Sequence, residues 1–192
     1  MIMRNDMLRK GLVLGILLLF ITASIVSALN TNSFSTSTSA KSGSWLYVGG
    51  GGPGNYTTIQ SAIDAANPGD TVFVYSGTYY EYITLNKHLN LIGEDKVSTI
   101  LDGSGWGSVV YITADLANVS GFAIRNGNYG IQVYSANNCK ITNNNISHNN
   151  YYGIYLISSS YNTLTGNNAH ANIAHGIYLY SSSNNTFSLR SK

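Results

Sequence analysis

The sequence predicts an all-β chain wound as a parallel β-helix, about five coils with a 22- or 23-residue period behind a short N-terminal capping α-helix. Three observations predict it. Gly130, Gly153 and Gly176 are evenly spaced and open one phrase, Gly-Ile-x-Val/Leu-x-Ser, which sets a 23-residue period. Overlaying the units gives apolar columns Ile131/Ile154/Ile177, Val133/Leu156/Leu179 and Ile141/Leu164/Phe187. The first two columns alternate with Gln132/Tyr155/Tyr178 and Tyr134/Ile157/Tyr180, the period of two that marks a strand. From Asn126 to Phe187 no ten-residue window has helical spacing, and Asn, Ser and β-branched residues dominate. A unit of this length cannot bury its apolar face alone and must stack on its neighbours.

Met1 to Ala28 reads as a signal peptide: Arg4, Arg9 and Lys10 form a basic start, Gly11 to Val26 is an uncharged apolar run, and Val26-Ser27-Ala28 favours cleavage after Ala28. An uncleaved anchor is the alternative, since the run is nearly long enough to span a bilayer. Without the leader the chain has seven basic and seven acidic residues, so its charge offers nothing to nucleic acid. Residues 29–44 form a Ser/Thr-rich linker.

Residues 45–70 hold a strand and the cap helix. Trp45 to Val48 is apolar, and Gly49-Gly50-Gly51-Gly52-Pro53-Gly54 formally matches G-x-G-x-x-G. The proline, the export signal and the missing βαβ pattern oppose a dinucleotide site. No Gly-Lys-Ser/Thr follows, which excludes a P-loop. Thr57-x-x-Gln60 reads as a capping box, and Ile59, Ala62, Ile63 and Ala66 share one helical face. Asn67-Pro68-Gly69-Asp70 ends the helix. Such a helix is suited to cover the open end of a strand stack.

Residues 71–192 hold the coils, incomplete at the C-terminus. Thr71 to Tyr75 is a strand; Leu85, Leu89, Leu91 and Ile92 belong to a less regular coil. Val109, Tyr111, Val119 and Ile124 precede Ile131, Val133, Ile141 and Ile146 by a 22-residue step. Asn144/Asn167, Asn145/Asn168 and Asn149/Asn172 share columns and are expected to form scaffold amide ladders. The lone Cys139 excludes an internal disulfide, and its repeat partners Asn162 and Asn185 suggest an exposed turn. Four glycosylation sequons begin at Asn55, Asn118, Asn145 and Asn184. After Phe187 the repeat breaks, suggesting a truncated gene or end-to-end self-association.

Tyr56-Thr57-Thr58-Ile59-Gln60-Ser61-Ala62-Ile63-Asp64-Ala65-Ala66-Asn67-Pro68-Gly69-Asp70-Thr71-Val72 resembles the N-terminal cap and first strand of the pectate-lyase-like superfamily, whose β-helix is right-handed. The phrase Tyr129-Gly130-Ile131-x-Val133 with its Asn-Asn-Asn-Ile tract is similar to NosD-type repeats, common in prokaryotic surface proteins described as carbohydrate-binding or sugar-hydrolysing. The resemblance spans Trp45 to about Phe187. It implies the fold rather than one activity, because the same coil carries lyases, hydrolases, adhesins and copper-site maturation factors.

The resemblance sets three functional readings against the residues. A lyase of the superfamily would need carboxylates holding calcium and an arginine base; a hydrolase would need paired Asp residues. Beyond Asp102 the only carboxylate is Asp115, Asp95 and Asp102 read as turn residues, and Arg125 lacks an acidic cluster one coil away. The enzyme reading therefore stays open but disfavoured, with no catalytic residue assigned. A copper role would call on His148, His170, His175 or Cys139; His148 and His170 are one position out of register, and no methionine follows Met7. The third reading uses Tyr134, Tyr155, Tyr178 and Tyr180 on the outward columns, with Tyr151 and Tyr152 in the preceding turn. Stacked aromatic rings offer a broad, polar-tipped surface for sugars or a protein, although cross-strand tyrosines also stabilise a bare sheet.

The sequence thus favours a secreted or cell-surface, non-catalytic module that binds extracellular polysaccharide or a surface protein. It needs no cofactor and no nucleic acid, and touches membrane only through its N-terminal segment. The alternatives are a fragment of a polysaccharide lyase or hydrolase, and a NosD-like periplasmic copper-processing protein.

Overall fold

Short alternating strands separated by polar corners close into coils of three strands each. The computed structural model describes residues 43–188. The expected leader (1–28), nearly all of the linker (29–44) and the stretch from Leu189 to Lys192 lie outside the described residues.

β1 (Trp45–Val48) and α1 (Ile59–Ala65) precede the first coil, β2 (Thr71–Val74), β3 (Gly77–Tyr79) and β4 (Ile83–Leu85). The second coil is β5 (Asn90–Gly93), β6 (Thr99–Asp102) and β7 (Ser108–Ile112); the third is β8 (Asn118–Ser120), β9 (Ala123–Arg125) and β10 (Tyr129–Tyr134). The fourth is β11 (Lys140–Thr142), β12 (Asn145–Ser147) and β13 (Tyr152–Ile157), and the fifth β14 (Thr163–Thr165), β15 (Asn168–His170) and β16 (His175–Tyr180). β17 (Thr186–Ser188) begins another turn. Every strand pairs in parallel with its equivalent one coil away. The result is a seven-stranded sheet, β1-β2-β5-β8-β11-β14-β17, and two five-stranded sheets, β16-β13-β10-β7-β4 and β15-β12-β9-β6-β3. The solenoid has about six turns.

The core is a set of columns running along the stack. Leu46, Val72, Leu91, Val119, Ile141, Leu164 and Phe187 follow one another through the seven-stranded sheet. Ile83, Val110, Ile131, Ile154 and Ile177 do the same in the sheet that holds β10. Fully burying such a side chain contributes about 1.5–3 kcal/mol, and a single coil buries none of them without its neighbours.

One expected register is corrected. The 22-residue offset would set Tyr111 against Val133, but β7 pairs at an offset of 21, Val110 with Ile131 and Tyr111 with Gln132. Val110 and Ile112 are then buried and Tyr111 faces outward. The alternative would drive a phenol into the core. The corner after Ile112 is one residue shorter than its counterpart after Val133, and the 22-residue offset resumes at Asn118 and Lys140.

The corners explain the asparagines. At the corner between β11 and β12, Asn144 Oδ1 accepts from Phe122 N (3.1 Å), and Asn167 Oδ1 accepts from Asn144 N (3.1 Å). At the next corner Asn149 Oδ1 accepts from Gly127 N (3.0 Å), and Asn172 Oδ1 from Asn149 N (3.1 Å). At the third, Asn162 Oδ1 accepts from Cys139 N and Asn185 Oδ1 from Asn162 N, both at 2.8 Å. Each amide thus satisfies an inward N–H that a sheet ladder cannot reach. Asn143, His148, Ser158 and Tyr161 take φ of +55°, +56°, +49° and +60° at these corners, hence the Asn/Ser/Gly-rich tracts. The residue after each of these positive-φ positions points inward, as Asn144, Asn149 and Asn162 do, and Cys139, which follows Asn138, is buried rather than exposed as the turn position had suggested.

The same corners explain the glycine beat. A Cβ on Gly153 would lie 2.6 Å from Gly176 O and 2.7 Å from Asn172 Nδ2, so only glycine admits the adjoining ladder.

α1 is held differently from its expected capping box. Its N-cap is Thr58, whose hydroxyl accepts from Ser61 N. The N–H groups of Ile59 and Gln60 donate to the Glu81 carboxylate at 3.0 and 3.1 Å. At the other end Lys87 Nζ donates to the carbonyls of Ile63, Asp64 and Ala66 at 2.9–3.1 Å. The first coil supplies an anion to the helix start and a cation to its end, complementing its unpaired backbone groups. Gln60 is thereby released to bond Thr84 N and Asp64. Ile59, Ala62 and Ile63 are buried under the helix.

Candidate functional site

The longest strands, β10, β13 and β16, lie side by side and carry alternate residues outward. Register makes one outward column of Thr84, Tyr111, Gln132, Tyr155 and Tyr178. A second is Ser108, Tyr129, Tyr152 and His175. The two columns interleave into one aromatic cluster. Tyr152 and Tyr178 stack at 4.6 Å between ring centroids and 22° between planes. His175 lies nearly parallel to Tyr152 (5.6 Å, 12°) and to Tyr178 (5.7 Å, 14°). Tyr129 joins Tyr152 at 5.8 Å, Tyr155 at 5.3 Å and Tyr151 at 5.8 Å.

Desolvation, reinforced by neighbouring phenols, raises the hydroxyls of Tyr129 and Tyr155 above the ordinary tyrosine value. The rings stay neutral wherever an ordinary tyrosine does. Towards β4 the face sinks into a shallow cavity of about 350 Å³ lined by Tyr82, Thr84, Gly107, Ser108, Tyr111 and Gln132. Ser108 Oγ donates to Gln132 Oε1 at 2.5 Å, leaving the Gln132 amide nitrogen for other partners. Tyr82 is held at the rim by its hydroxyl, which donates to Gly103 O at 2.6 Å.

The four expected tyrosines do not act as one group. Tyr155 and Tyr178 sit in the cluster. Tyr134 and Tyr180 stand at the far ends of their strands with Ile157 between them. Tyr134 meets only Tyr111, at 6.4 Å, and Tyr180 has no ring partner among the described residues. The residues that complete the cluster, Tyr129 and His175, occupy the position before the repeat glycine; they share the Tyr152 column, a signal legible in the 23-residue overlay.

Among the described residues Arg125 has a single acidic partner. Asp102 lies directly beside it, one coil away on the sheet holding β6 and β9, and its carboxylate accepts from Arg125 Nε at 3.1 Å. Asn126 Nδ2 (2.9 Å) and Ser104 N (3.0 Å) complete the carboxylate's partners. Asp102 is thus a buried strand end rather than a free turn residue. The glycine-rich run from Gly103 to Gly107 hides this in the sequence, because it makes Asp102 read as part of the turn.

His148 and His170 approach at 6.5 Å between centroids, and His148 Nδ1 is 3.0 Å from Ser147 Oγ. Ser147 pairs with His170, as the offset between the histidines implied. Among the described residues no three His, Cys, Asp or Glu side chains gather as a metal set. Burial pushes the Cys139 thiol up to about 11. The Gly49–Gly54 loop turns back through positive φ at Gly49, Gly50, Gly51 and Gly54, with Asn55 Nδ2 donating to Gly49 O at 2.6 Å. Of the other sequons, Asn118 donates to Asn90 and Asn145 accepts from Asn168 within the sheets, while Asn184 is exposed.

Residues 100–189 match the family model described as a right handed beta helix region. Among solved structures, an alginate lyase from Paenibacillus sp. str. FPU-7 is similar at 20% identity and a TM-score of 0.55, over 68% of this chain and 55% of that one. The pectin methylesterase PemA from Erwinia chrysanthemi has 13% identity and a TM-score of 0.48 over 64% and 54% of the two chains. The pectin methylesterase from Aspergillus niger has 21% identity and a TM-score of 0.47 over 78% and 60%. The chain spans about half the length of these proteins. No curated protein matches the sequence. The likeness shows the fold, a right-handed parallel β-helix.

Proposed function

We propose that the chain is a secreted or cell-surface β-helix module that binds carbohydrate through the outward face of its long-strand sheet, without catalysing a reaction there. One observation carries the reading: Tyr129, Tyr152, Tyr155, Tyr178 and His175 form a continuous aromatic surface beside an open cavity lined by hydroxyl and amide groups as well as aromatic rings. Aromatic faces receive the C–H faces of pyranose rings, and hydroxyl and amide groups orient sugar hydroxyls.

The alginate lyase among the structural neighbours makes polysaccharide the natural ligand class, and the export-like leader agrees with a location where such polymers occur. Arg125, the base a lyase would require, gives its Nε to Asp102 and belongs to the sheet next to the aromatic one.

The test is retention on a panel of immobilised polysaccharides by the full chain and by a Tyr155→Ala/Tyr178→Ala double variant. Retention by the parent, at least tenfold weaker in the variant with unchanged circular dichroism, is the expected result. Equal retention by both, or release of unsaturated products or new reducing ends from the bound polymer, would overturn the reading.

A further inference from the structure

The aromatic face is unusual in what it lacks. Across both full columns, Thr84/Tyr111/Gln132/Tyr155/Tyr178 and Ser108/Tyr129/Tyr152/His175, and across Tyr134/Ile157/Tyr180, there is no Lys, Arg, Asp or Glu. The ionisable groups at its borders are already committed. Glu81 receives the two amides at the start of α1, and Lys87 donates to the carbonyls at its end. Arg125 is paired with Asp102. Asp115, in the corner beyond β7, accepts from Asn137 N at 2.7 Å. His175 lies beside the stacked Tyr152–Tyr178 pair, 5.6 and 5.7 Å from their ring centroids.

We propose that this face takes a neutral glycan: a hexopyranose oligomer free of carboxylate, sulfate and phosphate groups. This rests on the carbohydrate-binding reading and narrows it to one ligand class. One sugar ring occupies the cavity between Tyr82, Tyr111 and Gln132. The rings that follow it lie over Tyr155, Tyr152 and Tyr178 along the solenoid.

Three physical arguments exclude the acidic alternative. The face of a phenol ring is the negative end of its quadrupole; it attracts the C–H edges of a sugar and repels an anion placed over it. A carboxylate pressed onto the cluster sheds water without gaining a lysine or arginine partner, and a charge buried without a partner is costly. The cavity's hydrogen-bonding groups are hydroxyls and one amide, the Thr84 and Ser108 hydroxyls and the Gln132 Nε2, which match sugar hydroxyls rather than a full charge. A neutral pyranose meets the rings with its C–H face and the cavity with its hydroxyls, and loses nothing of this kind.

The test uses matched pairs: gluco-, manno- and galacto-configured hexasaccharides, each beside its C6-oxidised uronate counterpart, titrated calorimetrically into the full chain. The expected result is at least tenfold tighter binding of one neutral member than of its oxidised partner, unchanged between 50 and 500 mM NaCl as an order-of-magnitude span of screening. Tyr155→Ala/Tyr178→Ala should abolish it, and Gln132→Lys, which places a cation in the cavity, should bring the two members of the pair within about threefold. Equal or tighter binding of the uronate, lost in the tyrosine double variant, would overturn the neutral-ligand inference and leave the carbohydrate reading standing. Binding of neither member of any pair would bring down both.

Discussion

Two adjacent asparagines, alike in sequence, should differ sharply in what they are worth. Asn144 is fully buried; its Oδ1 takes Phe122 N, and its Nδ2 donates to Val119 O (3.0 Å) and to Asn167 Oδ1 (3.1 Å). Asn145 faces outward, and its amide's one bond is a 3.4 Å contact from Asn168 at the surface. Asn144→Ala leaves the buried Phe122 N–H without an acceptor. Orphaning a buried polar group costs about 1–3 kcal/mol, and the vacated space and lost donor add to it, so the expected loss is about 3 kcal/mol. Asn145→Ala should stay within about 0.5 kcal/mol of the parent. With a urea dependence of roughly 2 kcal/mol per molar, the first variant's unfolding midpoint falls by about 1.5 M while the second's barely moves. Far-ultraviolet circular dichroism during urea unfolding reads the midpoints, and amide exchange at Phe122 reads the local opening, since a solenoid can yield coil by coil. Equal midpoints, or a larger loss for Asn145→Ala, would refute the claim that inward corner amides hold the coils together.

Other consequences are as direct. Cys139 is shielded, and burial with the nearby Asp115 charge raises its thiol to about 11, so Ellman's reagent at pH 8 should find no thiol in the folded chain and one equivalent in denaturant. Because the folded state disfavours the thiolate, its contribution to stability is intact below the free thiol's value of about 8.5 and declines as pH rises towards 11; pH-dependent unfolding midpoints should show this fall, and Cys139→Ala should remove it. Glu81→Ala should destabilise the cap by about 1–2 kcal/mol and Lys87→Met by about 1 kcal/mol, both read as faster amide exchange in α1 than in β13. Gly153→Ala, whose methyl meets backbone oxygen and the Asn172 amide, should cost about 1–3 kcal/mol in thermal unfolding despite a negative change in unfolded-chain entropy that would otherwise favour alanine.

The coil was legible because its chemistry repeats. Ile131, Ile154 and Ile177 stack as the 23-residue overlay required, and Ser147 meets His170 as counted. Where the period slips, the overlay failed. Tyr111 was set one residue out because Val109 and Val110 are both apolar and only the outward phenol distinguishes their registers. The Asp102–Arg125 pair escaped notice because an Asp followed by Gly103, Ser104 and Gly105 looks like a turn, whereas β6 runs on to include it. The aromatic site was half legible: Tyr155 and Tyr178 were visible as an outward column, but the share of Tyr129 and His175 needed the neighbouring column brought within ring contact.

By itself, then, the sequence determined the strand period, the stacking direction and the outward or inward sense of each regular column, because these follow from alternation and repeat length. Tertiary structure decided the rest: which of two asparagines turns inward, why Cys139 is buried at a corner, and that α1 is held by Glu81 and Lys87 rather than by its own capping box. Those outcomes depend on groups one coil apart competing for the same backbone donors and acceptors, and distance across coils is not written in any local run of residues.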